Sequence, residues 1–283
     1  MRSGRLSKPE LNTLVQDIYN LFDPNHTHEP SEDNLNEVAD NLKDLLRKRL
    51  AQRENLSDPL RFSNLGRPDR QLWYLANGAP SADFSPKTYF KFLYGDVIEL
   101  LLLFLCKEAG HSVERQQEEI EVDGVKGHID AIIDGTVVDV KSASPFSYKK
   151  FATNSLIEND PFGYIQQVSG YSHALTPDKG PAFLAFDKVH GDICVTPVSI
   201  SVVKDHKPEE RIAHLREVVA QSEPPPRCYP DEPDGQSGNR KLGTGCSYCS
   251  FKRTCWPDLR SFAYSGGPRF LTVVKKEPNV PEI

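Results

Sequence analysis

The segment GHIDAIIDGTVVDVKS, residues 127–142, contains Asp130, Asp139 and Lys141 at a spacing suited to metal-assisted phosphodiester hydrolysis. If Asp134-Gly135 forms a two-residue hairpin turn, Ile133 pairs with Thr136. Counting back sets Asp130 opposite Asp139 and His128 opposite Lys141. Side chains alternate across a strand, so one face carries His128, Asp130, Ile132, Val137, Asp139 and Lys141. The other face, with Ile129, Ala131, Ile133, Thr136, Val138 and Val140, is nearly all apolar and belongs in a core. Two carboxylates about 5 Å apart at Cβ repel each other, and a divalent cation relieves that. An all-oxygen donor set suits Mg²⁺ or Mn²⁺. Lys141, two residues beyond Asp139, can orient or deprotonate an attacking water and stabilise charge on a phosphate. A lone D-x-K is common on surface hairpins. Here the second aspartate in register and the apolar opposite face favour chemistry.

This hairpin needs supporting elements. Strands are expected at Gln116–Val122, Lys126–Ile133 and Thr136–Lys141, with turns at Asp123-Gly124 and Asp134-Gly135. A long helix from Ser85 to Gly110 precedes them, and its stretch VIELLLLFLC reads as buried. Within that stretch Glu99 needs a metal or a basic partner, because an unpaired buried carboxylate is costly. A helix at Tyr164–Ala174 follows the meander. Next comes a hairpin of Pro181–Asp187 and Ile193–Val198, turning near Gly191-Asp192, then a helix at Pro208–Ala220. Upstream, Asn34 to Arg53 repeats Val38, Leu42, Leu45, Leu46 and Leu50 at helical spacing, which reads as a packing helix. Pro224-Pro225-Pro226 marks a boundary. Three regions are expected: a helical extension over 1–60, a core over 61–223, and a cysteine module with a loose tail over 224–283.

The six cysteines are Cys106, Cys194, Cys228, Cys246, Cys249 and Cys255, four of them in the last 56 residues. In a reducing compartment such clustering favours metal over disulfide. Cys246-x2-Cys249-x5-Cys255 lets thiolates reach one centre. Cys228 is the first choice for a fourth ligand because it opens the same module. Asp69 is the weaker alternative. Cys106 and Cys194 read as buried free thiols. Phe251, Trp256 and Leu259 are nearly all the apolar residues the module has, so a metal centre would supply folding energy.

The pattern Asp130…Asp139-Val140-Lys141 resembles the P-D-(D/E)-x-K nucleases, and within them the RecB-like exonucleases, including the CRISPR-associated and phage recombination types. Gly95-Asp96-Val97-Ile98-Glu99 resembles their G-x-x-x-(H/E) helix, whose last residue binds metal. Gln167-Val168-Ser169-Gly170-Tyr171 resembles their Q-x-x-x-Y motif, which contacts substrate and active site. Phe62 to Tyr74, with Ser63, Arg70 and Trp73, resembles their N-terminal segment. The resemblance spans about 61–260. It implies an α/β, restriction-endonuclease-like αβββαβ core with a cysteine-ligated module. It implies Glu99, Asp130 and Asp139 as ligands of one or two Mg²⁺ or Mn²⁺ ions, and Lys141, Gln167 and Tyr171 as further active-site residues. It also implies a [4Fe–4S] cluster on the C-terminal cysteines, with zinc as the alternative. The family's upstream cysteine is missing; Pro68 and Asp69 stand in that stretch, and no cysteine precedes Cys106.

His128 reads as a DNA-contacting residue rather than a ligand. Lys149 and Lys150 could hold phosphates or be a solvated pair. The net charge of −6 argues against a blanket nucleic-acid binder. The stretch from Arg227 to Lys276 is locally basic, with nine Lys/Arg against four Asp/Glu. The N-terminus MRSGRLSKPE lacks the apolar core of a signal peptide, and Val97 to Cys106 is too short to span a bilayer. The expectation is a cytoplasmic, metal-dependent DNA exonuclease of recombination, repair or phage DNA processing. A structure-specific or restriction-type endonuclease, or a non-catalytic DNA-binding module, is the alternative. No G-x-x-x-x-G-K-[ST] motif is present, so unwinding or annealing would fall to a helicase or annealing partner.

Overall fold

The computed structural model describes residues 9–25, 27–51, 60–80, 85–176 and 178–283. Arg53 and most of the N-terminal decapeptide lie outside the described residues. The N-terminal region is helical: α1 (Leu14–Asn20) and α2 (Glu32–Ala51) precede the short α3 (Asp69–Ala76). Leu14 and Ile18 of α1 are fully buried. The apolar stripe of α2 only half-buries Val38, Leu42 and Leu45, and Leu50 at its end is 81% exposed, against expectation. Polar links hold α2 to the next helix: Lys107 to Glu37 at 2.6 Å and Arg49 to Asp96 at 2.6 Å.

That next helix, α4 (Pro86–Glu108), starts where Ser85 accepts from the Thr88 N–H, with proline in the first turn. Its Ile98, Leu102, Leu103 and Cys106 pack against the central sheet. That sheet has five strands in the order β1-β4-β5-β6-β7: β1 (Val113–Glu114), β4 (Ala131–Ile133), β5 (Thr136–Ala143), β6 (Ala182–Asp187) and β7 (Ile193–Pro197). Pairing is antiparallel except between β5 and β6, which are parallel. A parallel pair needs a crossover. It is made by α5 (Pro145–Ala152) and α6 (Tyr164–Leu175), which cover the sheet face opposite α4. The result is a mixed α/β fold with a central mixed sheet. No described helix is long and apolar enough to cross a membrane.

Both expected hairpin turns form. Asp123 and Gly124 have φ of 48° and 73°, and Asp134 and Gly135 have 48° and 71°, the both-positive pattern of a type I′ turn. Ile133 pairs with Thr136 as expected.

The expected strand Lys126–Ile133 does not stay whole. It breaks at Ile129-Asp130 into β3 (Val125–His128) and β4, and β3 pairs with β2 (Glu119–Val122) in a separate two-stranded sheet. His128 therefore pairs with Glu119 rather than facing Lys141. The break also turns Ile129 away from Ala131: Ile129 packs with Ile132, Val137, Phe62 and Tyr171, whereas Ala131 packs under α4. The expected strand Gln116–Val122 is shortened by a loop in which Arg115 and Gln117 both take φ of 53°.

After β7 come α7 (Ile200–Asp205) and α8 (Pro208–Val219). The C-terminal segment is not loose. A four-stranded sheet, β10-β11-β9-β8, is built from β8 (Glu232–Pro233), β9 (Arg240–Lys241), β10 (Arg260–Tyr264) and β11 (Gly267–Val273), with the short helices α9 (Thr244–Ser247) and α10 (Lys252–Cys255) between β9 and β10. Besides the expected Phe251 and Leu259, it buries Leu242, Phe262 and Leu271.

Candidate active site

Asp139 lies on the central strand β5 and is 2% exposed. Its Oδ2 lies 2.5 Å from Lys141 Nζ, the two side chains sharing one face of the strand. Asp130 stands one residue before β4, where the ladder to β5 stops. Its Oδ2 accepts the Val140 N–H at 2.6 Å, so a side chain takes over where the ladder ends. Burial pushes the Asp130 carboxyl well above its usual range, and Asp139 and Glu99 push it further. For Lys141, burial disfavours the charge, but Asp139 and Asp130 outweigh it and hold the pKa up.

Glu99 comes from α4, one residue after the buried Ile98. Gly95, a turn earlier, faces Ser142 of β5: a Cβ there would lie 3.4 Å from Ser142 Oγ, an ordinary contact. Burial raises the Glu99 carboxyl to about 7, with Asp139 and Asp96 adding to the effect. Gln117 donates to its Oε1 at 2.6 Å. Three carboxyl groups from α4, the β3–β4 break and β5 thus share a desolvated space with one ammonium. Their electrostatic coupling fits a divalent cation: hard oxygen donors, mutual repulsion, and too little positive charge nearby.

Helix α6 supplies the facing wall. Gln167 Nε2 donates to the Tyr171 hydroxyl at 3.4 Å, and Tyr171 stacks on Phe62 with ring centroids 5.2 Å apart. Burial raises the Tyr171 pKa. Glycine is required opposite: a Cβ on Gly127 would lie 2.5 Å from Phe62 Cβ and 3.0 Å from Tyr171 Cε1. The helix begins at Gly163, after Asp160 accepts the N–H groups of Gly163 and Ile165. Its first residue, Tyr164, lays its ring 4.9 Å from Lys141 Nζ.

Lys149 and Lys150 sit on α5, a helix that the sequence reading overlooked although Ser144-Pro145 carries the same cap signal as Ser85-Pro86. Lys149 is exposed, and Lys150 donates to the Asn159 carbonyl at 3.1 Å. His128 is exposed beside Glu119, 3.7 Å away. Among the described residues none of the three meets Glu99, Asp130 or Asp139. Gln117 and Tyr164 were not expected near the site. Their signal is tertiary: each is brought in by a bend or a crossing rather than by strand alternation.

The four C-terminal cysteines share one pocket: Cys228, Cys246, Cys249 and Cys255 line a space of about 420 Å³, part of it open solvent, together with Tyr74 and Trp256. Cys228 shares that cavity with Arg70 and Gln71 of the first turn of α3. The Arg70 guanidinium meets Cys255. Burial, then the neighbouring Cys249, Cys255 and Cys228, push the Cys246 thiol up to about 11. Asp69, the alternative fourth ligand, is instead held by Arg211 and His214, both at 2.6 Å. Cys106 is fully buried in the core under the sheet.

Among the described residues, no three of these thiols, and no three of the active-site carboxylates, place their ligand atoms within 4.8 Å of one another. Asp187, His190 and Asp192 do so, at the β6–β7 turn. There Asp187 already accepts the Val189 N–H and is bonded to His190 Nδ1, closing the loop.

No family model and no curated protein sequence matches the chain. Solved structures overlap with it loosely. One titled "Crystal structure of SSO0001" aligns at 17% identity and a TM-score of 0.39, covering 76% of this chain and 93% of that one. An alkaline exonuclease (LHK-Exo) from Laribacter hongkongensis aligns at 13% identity and a TM-score of 0.37, covering 63% and 93%. Its complex with dAMP aligns at 16% and 0.31, covering 54% and 74%. Overlap this loose decides nothing about the chemistry of this chain.

Proposed function

We propose that the chain is a Mg²⁺- or Mn²⁺-dependent deoxyribonuclease of the P-D-(D/E)-x-K type, acting as an exonuclease on DNA ends. The observation that carries this is the convergence of Glu99, Asp130 and Asp139 on Lys141 in a desolvated space. Glu99, Asp130 and Asp139 would hold the metal, which supplies Lewis acidity toward a phosphate oxygen and a bound water of lowered pKa. Lys141 would orient or deprotonate the attacking water and, as an ammonium, stabilise charge on the phosphoryl oxygen. The Tyr164 ring shields that ammonium from solvent, which strengthens its pull on developing negative charge. Gln117 fixes the Glu99 carboxyl, and Gln167 and Tyr171 close the wall behind the aspartates.

The cysteine cavity is assigned to a [4Fe–4S] cluster held by Cys228, Cys246, Cys249 and Cys255, which braces the C-terminal segment. The preference over tetrahedral zinc on the same cysteines rests on the resemblance of the Cys246-x2-Cys249-x5-Cys255 spacing. Arg70 beside Cys255 and Lys252 beside Cys249 would offset part of the charge of four thiolates.

The test is incubation with Mg²⁺ or Mn²⁺ on end-labelled linear DNA and on circular DNA of the same sequence. Release of mononucleotides from linear DNA alone is expected. Cutting of the circle would make it an endonuclease. No cutting of either, with DNA still bound, would make it a binding module.

A further inference from the structure

Three aromatic rings lead from the cysteine module to the active-site lysine. Tyr248, beside Cys249, is 74% exposed and meets Phe162 edge-on, with centroids 6.0 Å apart. Phe162 is 38% exposed and lies 5.6 Å from Tyr164. Tyr164 in turn lies over Lys141. Exposure falls step by step toward the carboxylates. An exposed tyrosine next to an exposed phenylalanine gains little from water, whereas the face of a nucleobase would cover both.

A cation flanks this row. The backbones of Gly66 and Gly163 cross so closely that a Cβ on either would overlap the other. That crossing sets Arg67 near Tyr164. The Arg67 guanidinium is part-buried, and the anionic group that acts on it most is the Cys249 thiol of the cysteine module. Arg61 is its neighbour, and the Arg61 Nε is a buried donor without a partner. Two adjacent guanidiniums, one of them with an unmet buried donor, favour a further anion beside them. Bases stacked on the rings would carry their phosphates alongside.

We infer that Tyr248, Phe162 and Tyr164 form a stacking track for the unpaired bases of a single DNA strand, with Arg67 taking a phosphate, so that the cysteine module is part of the substrate surface. This deepens the nuclease reading and rests on it for the direction of travel. The strand runs over the module and enters at Lys141. Stacking has no sequence preference, because every base has a π-face.

The experiment measures binding of a fluorescein-labelled oligothymidylate, and of a duplex of the same length, to full-length protein in the Asp139→Asn background with Ca²⁺. Tyr248→Ala and Phe162→Ala should each weaken oligothymidylate binding about tenfold and leave duplex binding within about twofold. Tyr248→Phe should bind as the parent does. Arg67→Gln should flatten the salt dependence by about one in log–log slope, and Arg67→Lys should restore it. Oligothymidylate binding unchanged in both alanine variants, or lost equally for duplex, would overturn the track. If Tyr248→Ala sheds metal, Phe162→Ala, which lies outside the module, decides alone. The two readings fail separately. Wild-type protein that cuts nothing while Tyr248 still governs strand binding sinks the nuclease and keeps the track. Wild-type protein that cuts while both alanine variants bind normally does the reverse.

Discussion

Gly127 on β3 sits directly beneath Phe62, leaving no room for a side chain between that ring and the Tyr171 ring stacked on it. The N-terminal segment, the β2–β3 hairpin and α6 are thereby locked together behind Asp130. Gly127→Ala should cost about 1–3 kcal/mol, since a methyl group would force Phe62 off its position. Chemical denaturation measures this. A variant as stable as the parent would show that the stack relaxes freely.

Asp130→Ala, Asp139→Ala and Lys141→Ala should each abolish or nearly abolish cleavage of linear DNA and keep a folded protein. For Lys141→Ala the loss should be about 10²–10³-fold, the scale for removing one donor to developing charge. Circular dichroism establishes the fold, and the end-labelled assay the rate. Wild-type rates in all three would remove the site from contention.

Metal and pH should be linked through Glu99. Its folded pKa of about 7 exceeds the ordinary value of 4.5, so between those limits the folded protein holds a proton that the unfolded chain has lost. Stability of the metal-free protein should therefore fall as pH rises across that window. Glu99→Gln, which cannot ionise, should flatten the fall. Thermal melts in chelator from pH 5 to pH 8 read this out, and identical slopes for the two proteins would refute the assignment. Because the metal displaces that proton, its affinity should rise with pH over the same range. Excess EDTA should stop cleavage, and Ca²⁺ should support binding without turnover.

Cys228→Ser should lower the metal content of the module, whereas Cys106→Ser should not, because Cys106 is buried under the sheet and outside the cavity. Anaerobically purified protein should be brown, with broad absorption near 400 nm and about four irons per chain. A colourless protein with one zinc would reject the cluster and keep the module.

The sequence alone determined those features that depend on local rules. Asp134-Gly135 can adopt two successive positive φ values at little cost, so the turn, and with it the pairing of Ile133 with Thr136, follows from the residues. Alternation then sets Asp139 and Lys141 on one face, and the apolar run around Glu99 marks a buried helix. The clustered cysteines likewise mark a module without any knowledge of its shape. Tertiary structure decided where local periodicity ends. The Asp130 carboxylate takes the Val140 N–H where the ladder stops, which splits the expected strand and sends His128 to Glu119. The loop before β2 brings Gln117 to Glu99, and the crossing of Gly66 and Gly163 brings Arg67 to Tyr164. Cys228 lines one cavity with the other three cysteines and with Arg70 and Gln71 of α3, a grouping across more than a hundred residues. Each of these is a contact between distant segments. Its energy exists only once the core between them has packed, and no pattern of neighbouring residues encodes it.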